Sequence, residues 1–146
     1  MCMSLKIEDI IAFWKMIKTV ETLEAKATII EAVTIMNEQE IDCLIIVRDE
    51  RPVGIITERD MLTRVLLEAK DPATIKVSQI MSTPLVVGEP QMSIQNAVRM
   101  MVEKKIRKLP IMENGRLVGL TTLTDLARSV AYLEHISSKL HNNVVE

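Results

Sequence analysis

Gly54-Ile55-Ile56-Thr57-Glu58-Arg59-Asp60 returns as Gly119-Leu120-Thr121-Thr122-Leu123-Thr124-Asp125, 65 residues further along the chain. The same spacing runs upstream without a gap. Ile29, Ala32, Val33, Met36, Glu38, Ile41, Leu44, Ile46, Arg51 and Val53 each meet an identical residue 65 positions later. With Gly54, Thr57 and Asp60 this makes 13 identities over the 35 positions from 28 to 62, where unrelated segments share about two. The chain is a duplication.

Each copy has one order of patterns. Ile29, Ala32, Val33 and Met36 fall at helical spacing, as do Ile94, Ala97, Val98 and Met101, and a hydroxyl residue suited to capping stands before each helix, Thr28 or Ser93. Two short apolar runs follow, Cys43 to Val47 and Val53 to Thr57, with counterparts Leu109 to Met112 and Leu117 to Thr122. Asp49-Glu50-Arg51-Pro52 is turn-prone, and Asn114-Gly115 is a strong hairpin signal because both residues tolerate positive φ. Helices are expected next, near Arg59 to Ala69 and Thr124 to Leu140, and short extended pieces before, Val20 to Leu23 and Leu85 to Val87.

The fold class is therefore α+β, a tandem βαββα repeat. The expected segments are an N-terminal helix over 1–16, a first repeat over 17–70, a linker over 71–80 and a second repeat over 81–146. A unit of this size buries too little apolar surface to be comfortable alone, so the repeats are expected to pack sheet to sheet about a pseudo-twofold axis, with a ligand cleft between them. Ile7 to Ile17 forms an amphipathic pattern with few basic residues, which suits packing against the repeats or a second copy better than a membrane surface.

A βαββα repeat ending in Gly-hydrophobic-hydrophobic-Thr-x-x-Asp, present twice, resembles the CBS (cystathionine-β-synthase) domain pair, or Bateman module, over roughly residues 17 to 135. The resemblance implies a non-catalytic regulatory module, paired as a homodimer through its second helices, that binds an adenosine-containing ligand (AMP, ADP, ATP or S-adenosylmethionine) and signals to an effector protein. No cofactor is required. By motif position, Thr57 and Thr122 would meet phosphate with the amides of the following turn, and Asp60 and Asp125 would take ribose hydroxyls. In this family the base is held by the strand before the first helix and by the middle strand, here Thr83, Pro84 and Leu85, or Thr19 and Val20, with Ile41 or Ile106.

The residues support such a site on their own chemistry. A helix N-terminus offers unpaired N–H groups and a positive dipole end to an anion, and a carboxylate can accept from both hydroxyls of a cis-diol. The plainer reading of Thr-x-x-Asp is a capping box that only satisfies orphan amides. Two copies in register, each after a glycine that permits close backbone approach, favour a ligand. The copies differ in charge. Arg59 supplies a cation in the first, whereas the second has Thr124 there and would draw on Arg107 and Lys108 in the run Arg107-Lys108-Leu109-Pro110. Asp42 stands where Arg107 does and would repel phosphate. At the opening of the first copy, Phe13-Trp14-Lys15-Met16-Ile17 replaces the pattern shown by Val77-Ser78-Gln79-Ile80-Met81.

Composition narrows the alternatives. Across 146 residues, 18 Lys and Arg against 20 Asp and Glu leave a net charge of −2, which gives no general attraction to nucleic acid or anionic membrane. The cluster of Arg99, Lys104, Lys105, Arg107 and Lys108 suits a solvated helix end or a small phosphate. No apolar run approaches the roughly 20 residues that span a bilayer, and the opening residues show no signal-peptide core, so a cytoplasmic protein is expected. Cys2 and Cys43 match neither a disulfide framework nor a zinc site. His135 and His141 do not share a helix face, which argues against a metal. No phosphate-loop motif or nucleophile–base pattern suggests catalysis. The competing expectation is a nucleotide-independent scaffold dimer that uses its helices and the Phe13-Trp14 segment.

Overall fold

A computed structural model describes residues 5–14 and 20–142, with side chains outside the description at 11–14, 136 and 140–142. Thr19 and residues 15–17 therefore lie outside the described residues, as do Cys2 and the side chains of Phe13, Trp14 and His141. In chain order the elements are α1 (Ile7–Trp14), β1 (Thr22–Glu24), α2 (Ile29–Glu38), β2 (Cys43–Arg48), β3 (Arg51–Thr57), α3 (Glu58–Asp60), α4 (Ile94–Lys104), β4 (Lys108–Glu113), β5 (Arg116–Thr122) and α5 (Leu123–Asn142). The α3 turn continues as a π-helix over Met61–Leu66, and a 3-10 turn spans Val77–Gln79. The fold is α+β.

In the unit formed by Thr19–Val86, β2 lies between parallel β1 and antiparallel β3. Its Leu44, Ile45 and Ile46 are fully buried, as suits a central strand covered on both faces. The helix α2 brings Ile29, Ala32 and Met36 onto the sheet, each large apolar side chain contributing about 1.5–3 kcal/mol. Val33, expected on the same stripe, is exposed. Thr28 caps α2 in a reciprocal box with Glu31. The Thr28 backbone N–H, then its hydroxyl, hold the Glu31 carboxyl below the usual carboxylate range.

The unit formed by Met1–Lys18 and Val87–Glu146 repeats the design with Ile94, Ala97 and Met101 buried from α4. Even irregularities recur. Both hairpins shift register after Ile46 or Ile111, and both α2 and α4 end in a left-handed residue, Glu40 or Lys105, after which Ile41 or Ile106 donates to the carbonyl of Met36 or Met101. The hairpin turns are the two-residue pairs Asp49-Glu50 and Asn114-Gly115, all at positive φ. Arg51 and Pro52, expected in the first turn, belong to β3 instead, where an edge strand tolerates a proline beside a bulge.

The first strand of the second copy is reduced to a single bridge between Gly88 and Ile111. Proline explains this. In the first copy the Ile45 N–H donates to Glu21 O and holds β1 to β2; Pro110 occupies the matching position and has no N–H to give.

The segment before each α2-type helix is taken from elsewhere in the chain. Residues 71–80, expected to be a linker, pack on the first copy: Val77 N–H donates to Ala27 O, Ile29 N–H to Ile75 O, and Val77 and Ile80 are buried. The N-terminal helix α1 takes the same place on the second copy, where Ile94 N–H donates to Leu5 O and Ile7 and Ile10 are buried. The bridges Thr28–Lys76 and Ser93–Lys6 mark the equivalence. The counterpart of Val77-x-x-Ile80 is thus Ile7-x-x-Ile10, not Phe13 to Ile17, and the compact units do not follow the repeat boundaries.

Thr121 breaks the duplication inside the second core. Its hydroxyl is buried without a hydrogen-bond partner among the described residues, where the first copy has the fully buried Ile56. An unmet buried hydroxyl costs about 1–3 kcal/mol. Thr121→Val is expected to raise unfolding stability by about 1 kcal/mol in urea denaturation; unchanged or lower stability would mean that the hydroxyl is satisfied.

Candidate functional site

Each copy turns from its last strand into a helix at the Thr-x-x-Asp motif, and the two corners are wired differently. At the first, the Thr57 N–H and hydroxyl both donate to Asp60 Oδ2, at 2.8 and 3.1 Å. Arg64 Nε lies 3.5 Å from Asp60 Oδ1, and its guanidinium also donates to Ile80 O at 2.6 Å. Both oxygens of a buried carboxylate are engaged, and the single Thr57 hydroxyl proton is spent on it.

At the second corner the Thr122 N–H donates to Asp125 Oδ2 at 3.1 Å, and the Asp125 N–H donates to Thr122 Oγ1 at 3.0 Å. No donation from the Thr122 hydroxyl is found among the described residues, which leaves its proton available. Asp125 is half-buried, and its Oδ1 has no partner among the described residues. Ser129 occupies the position matching Arg64, and its hydroxyl donates to Asp125 O at 2.8 Å.

The strand facing each corner adds to the difference. Lys108 is the cross-strand partner of Thr122, whereas Cys43 is that of Thr57. Directly opposed residues on antiparallel strands have Cβ atoms about 4.5–5.5 Å apart, so a cation stands beside the second threonine and a thiol beside the first. One donor expected for phosphate is already used: the first helical amide donates to Asp42 O from Glu58 and to Arg107 O from Leu123. Positive charge at the second corner comes from side chains.

The predicted site residues divide between the units. Thr57, Arg59, Asp60, Thr83, Pro84 and Leu85 belong to one, and Ile106, Arg107, Lys108, Pro110, Thr122, Thr124 and Asp125 to the other. The Thr83 hydroxyl donates to Val53 O at 3.0 Å, and Ser82 exchanges backbone bonds with Ile55, which ties this stretch to the strand that ends in Thr57. Gly54 is needed for that contact. A Cβ there would lie 2.6 Å from Met81 Sδ and 2.9 Å from Ser82 O, so its close approach is to the chain itself. Arg59 and Thr124 are exposed, and neither forms a side-chain hydrogen bond or ion pair with its neighbouring Asp among the described residues. An open depression between β1 and α2, bounded by Thr22, Glu24, Lys26 and Glu31, includes none of the predicted residues. Sequence reasoning missed Arg64, although its place four residues after Asp60 is the spacing at which opposite charges meet on a helix.

Residues 7–67 and 77–132 each match the model of the CBS domain. The chain belongs to the CBS-domain family. The two matches begin at Ile7 and Val77, the residues that open the packed segments before α2 and α4's cores. The CBS domain-containing protein YhcV of Bacillus subtilis is 36% identical over 123 residues, covering 84% of this chain and 87% of that protein. The uncharacterized protein MK0525 of Methanopyrus kandleri is 39% identical over 108 residues, and the match covers 73% of this chain but only 55% of that longer protein. Among solved structures, a hexameric CBS-CP12 protein from bloom-forming cyanobacteria superposes with a TM-score of 0.78 at 29% identity, covering 92% of this chain and 77% of that one. An uncharacterized conserved protein from Pyrococcus horikoshii gives 0.75 at 27%, covering 89% and 95%.

The unequal wiring has a consequence for stability. Asp60→Ala strands the Thr57 amide and the Arg64 guanidinium, and is expected to cost about 2–3 kcal/mol; Asp125→Ala removes one amide acceptor and is expected to cost about 1 kcal/mol. Chemical denaturation of the two variants measures both, and equal losses would contradict the assigned contacts.

Proposed function

We propose that this CBS pair is a non-catalytic regulatory module that binds an adenosine-containing phosphate ligand and passes its occupancy to a partner protein. The second corner carries the reading. A half-buried carboxylate with one uncommitted oxygen, a threonine that retains its hydroxyl proton, and Lys108 opposite that threonine form a set suited to a ribose diol next to a phosphate. Arg107, exposed at the head of β4, adds a second cation. AMP, ADP, ATP and S-adenosylmethionine all carry the ribose, and the phosphates among them suit the cations better. The expected setting is a homodimer in the cytoplasm; no helix among the described residues is long and apolar enough to cross a membrane.

Regulation requires the ligand to bind two arrangements of the protein unequally, and couplings of this kind amount to about 1–3 kcal/mol. A second reading, a scaffold that works without nucleotide, is favoured by one observation: Leu62, Leu66 and Leu67 are 59%, 71% and 81% exposed on and just after the π-helix that follows Asp60. Apolar side chains grouped in this way suit a second copy or another protein.

Thermal unfolding with each nucleotide separates the two readings, since a ligand at 100 times its Kd adds about 2.7 kcal/mol. AMP is expected to stabilise the protein, 2′-deoxy-AMP to bind about tenfold more weakly, and Asp125→Ala to weaken AMP binding by one to two decades, from loss of about 1.5–3 kcal/mol of charge-assisted hydrogen bonding. No shift with any of the four ligands would leave the scaffold reading in place.

A further inference from the structure

Resting on the nucleotide reading, we propose that Arg64 is a built-in clasp that closes the first Thr-x-x-Asp corner to ligands, so that the chain takes up one nucleotide, at Thr122 and Asp125. A ribose diol needs carboxylate lone pairs that are not otherwise committed. Asp60 Oδ2 receives two donors from Thr57, and Oδ1 faces Arg64 Nε. The Asp125 carboxylate accepts one hydrogen bond, from the Thr122 N–H, and no ion pair to it is found among the described residues. The guanidinium is itself positioned from a second direction, because its other arm donates to Ile80 O, and Ile80 is fixed in the core. Arg64 thereby joins the corner to the segment 77–80 that packs beneath α2, and moving it off Asp60 would also break that bond.

Three further features of the first corner agree with closure. The Thr57 hydroxyl has no proton left for a phosphate oxygen, since an ionised Asp60 can only accept. Cys43, a thiol, faces Thr57 where Lys108 faces Thr122. The surface of Gly54 is covered by Met81 and Ser82 of the same unit. Position 129 decides the contrast between copies: serine there turns its hydroxyl to the Asp125 backbone carbonyl and leaves the carboxylate alone.

The clasp can be opened in one copy and installed in the other. Calorimetric titration with AMP is expected to give one equivalent per chain for the wild type and two for Arg64→Gln, the added equivalent being lost again when Asp60→Ala is combined with it. Arg64→Met, which keeps the aliphatic stem, serves where the glutamine variant folds poorly. The reciprocal change, Ser129→Arg, is expected to weaken AMP binding at least tenfold. Two equivalents in the wild type, or one in both wild type and Arg64→Gln, would overturn the clasp while leaving nucleotide binding intact. No heat from the wild type would remove the nucleotide reading itself. A ligand-free check is the double-mutant cycle of Asp60→Asn and Arg64→Gln in urea unfolding, where additive effects would show that the pair is not coupled and overturn the clasp.

Discussion

The carboxylate that closes on the backbone amide of the threonine three residues before it is the constraint on which both halves of this protein turn. A strand that must become a helix within one residue leaves amides that neither element can satisfy. In each copy the aspartate takes the threonine amide, and the carbonyl before the middle strand takes the next one. Fixing that corner fixes where the last helix starts and which way the threonine hydroxyl points. Function can be added to such a corner only with whatever bonding capacity folding leaves over. The second copy leaves a carboxylate oxygen and a hydroxyl proton, and the first leaves neither.

Duplication made most of the fold legible. Positions that pack, Ile29 with Ile94, Ala32 with Ala97 and Met36 with Met101, carry identical residues because they meet the same geometric demand. The capping threonine and serine, the hairpins and the helix after each motif could be placed for the same reason. Three features were hidden. Exchange of the opening segments depends on contacts between residues far apart in sequence, and the family pattern was sought at Phe13 to Ile17 rather than at Ile7. The missing first strand follows from one absent N–H at Pro110, a local effect that an apolar run does not reveal. The turn at Asp49-Glu50 is a tight two-residue turn built without glycine, so turn propensity spread it over Pro52 as well.

The site was legible in kind more than in wiring. Thr57, Asp60, Thr122 and Asp125 stand at equivalent corners, as their spacing required, yet a motif specifies neither how many donors a carboxylate already receives nor which cation reaches it. Arg59, adjacent in sequence, forms no ion pair with Asp60 among the described residues, while Arg64, one helical turn on, does. Substitution of Ile56 by Thr121 and of Arg64 by Ser129 shows that the copies diverged both in the core and at the surface of the corner.

The central claim, that the second corner is the receptor, is tested most directly by following backbone amide resonances during titration with AMP. The account predicts saturable shifts concentrated at Arg107 to Leu109 and Thr122 to Asp125, with Thr57 to Asp60 nearly still. Shifts centred on Thr57 to Asp60, or a spectrum that AMP does not change, would contradict it.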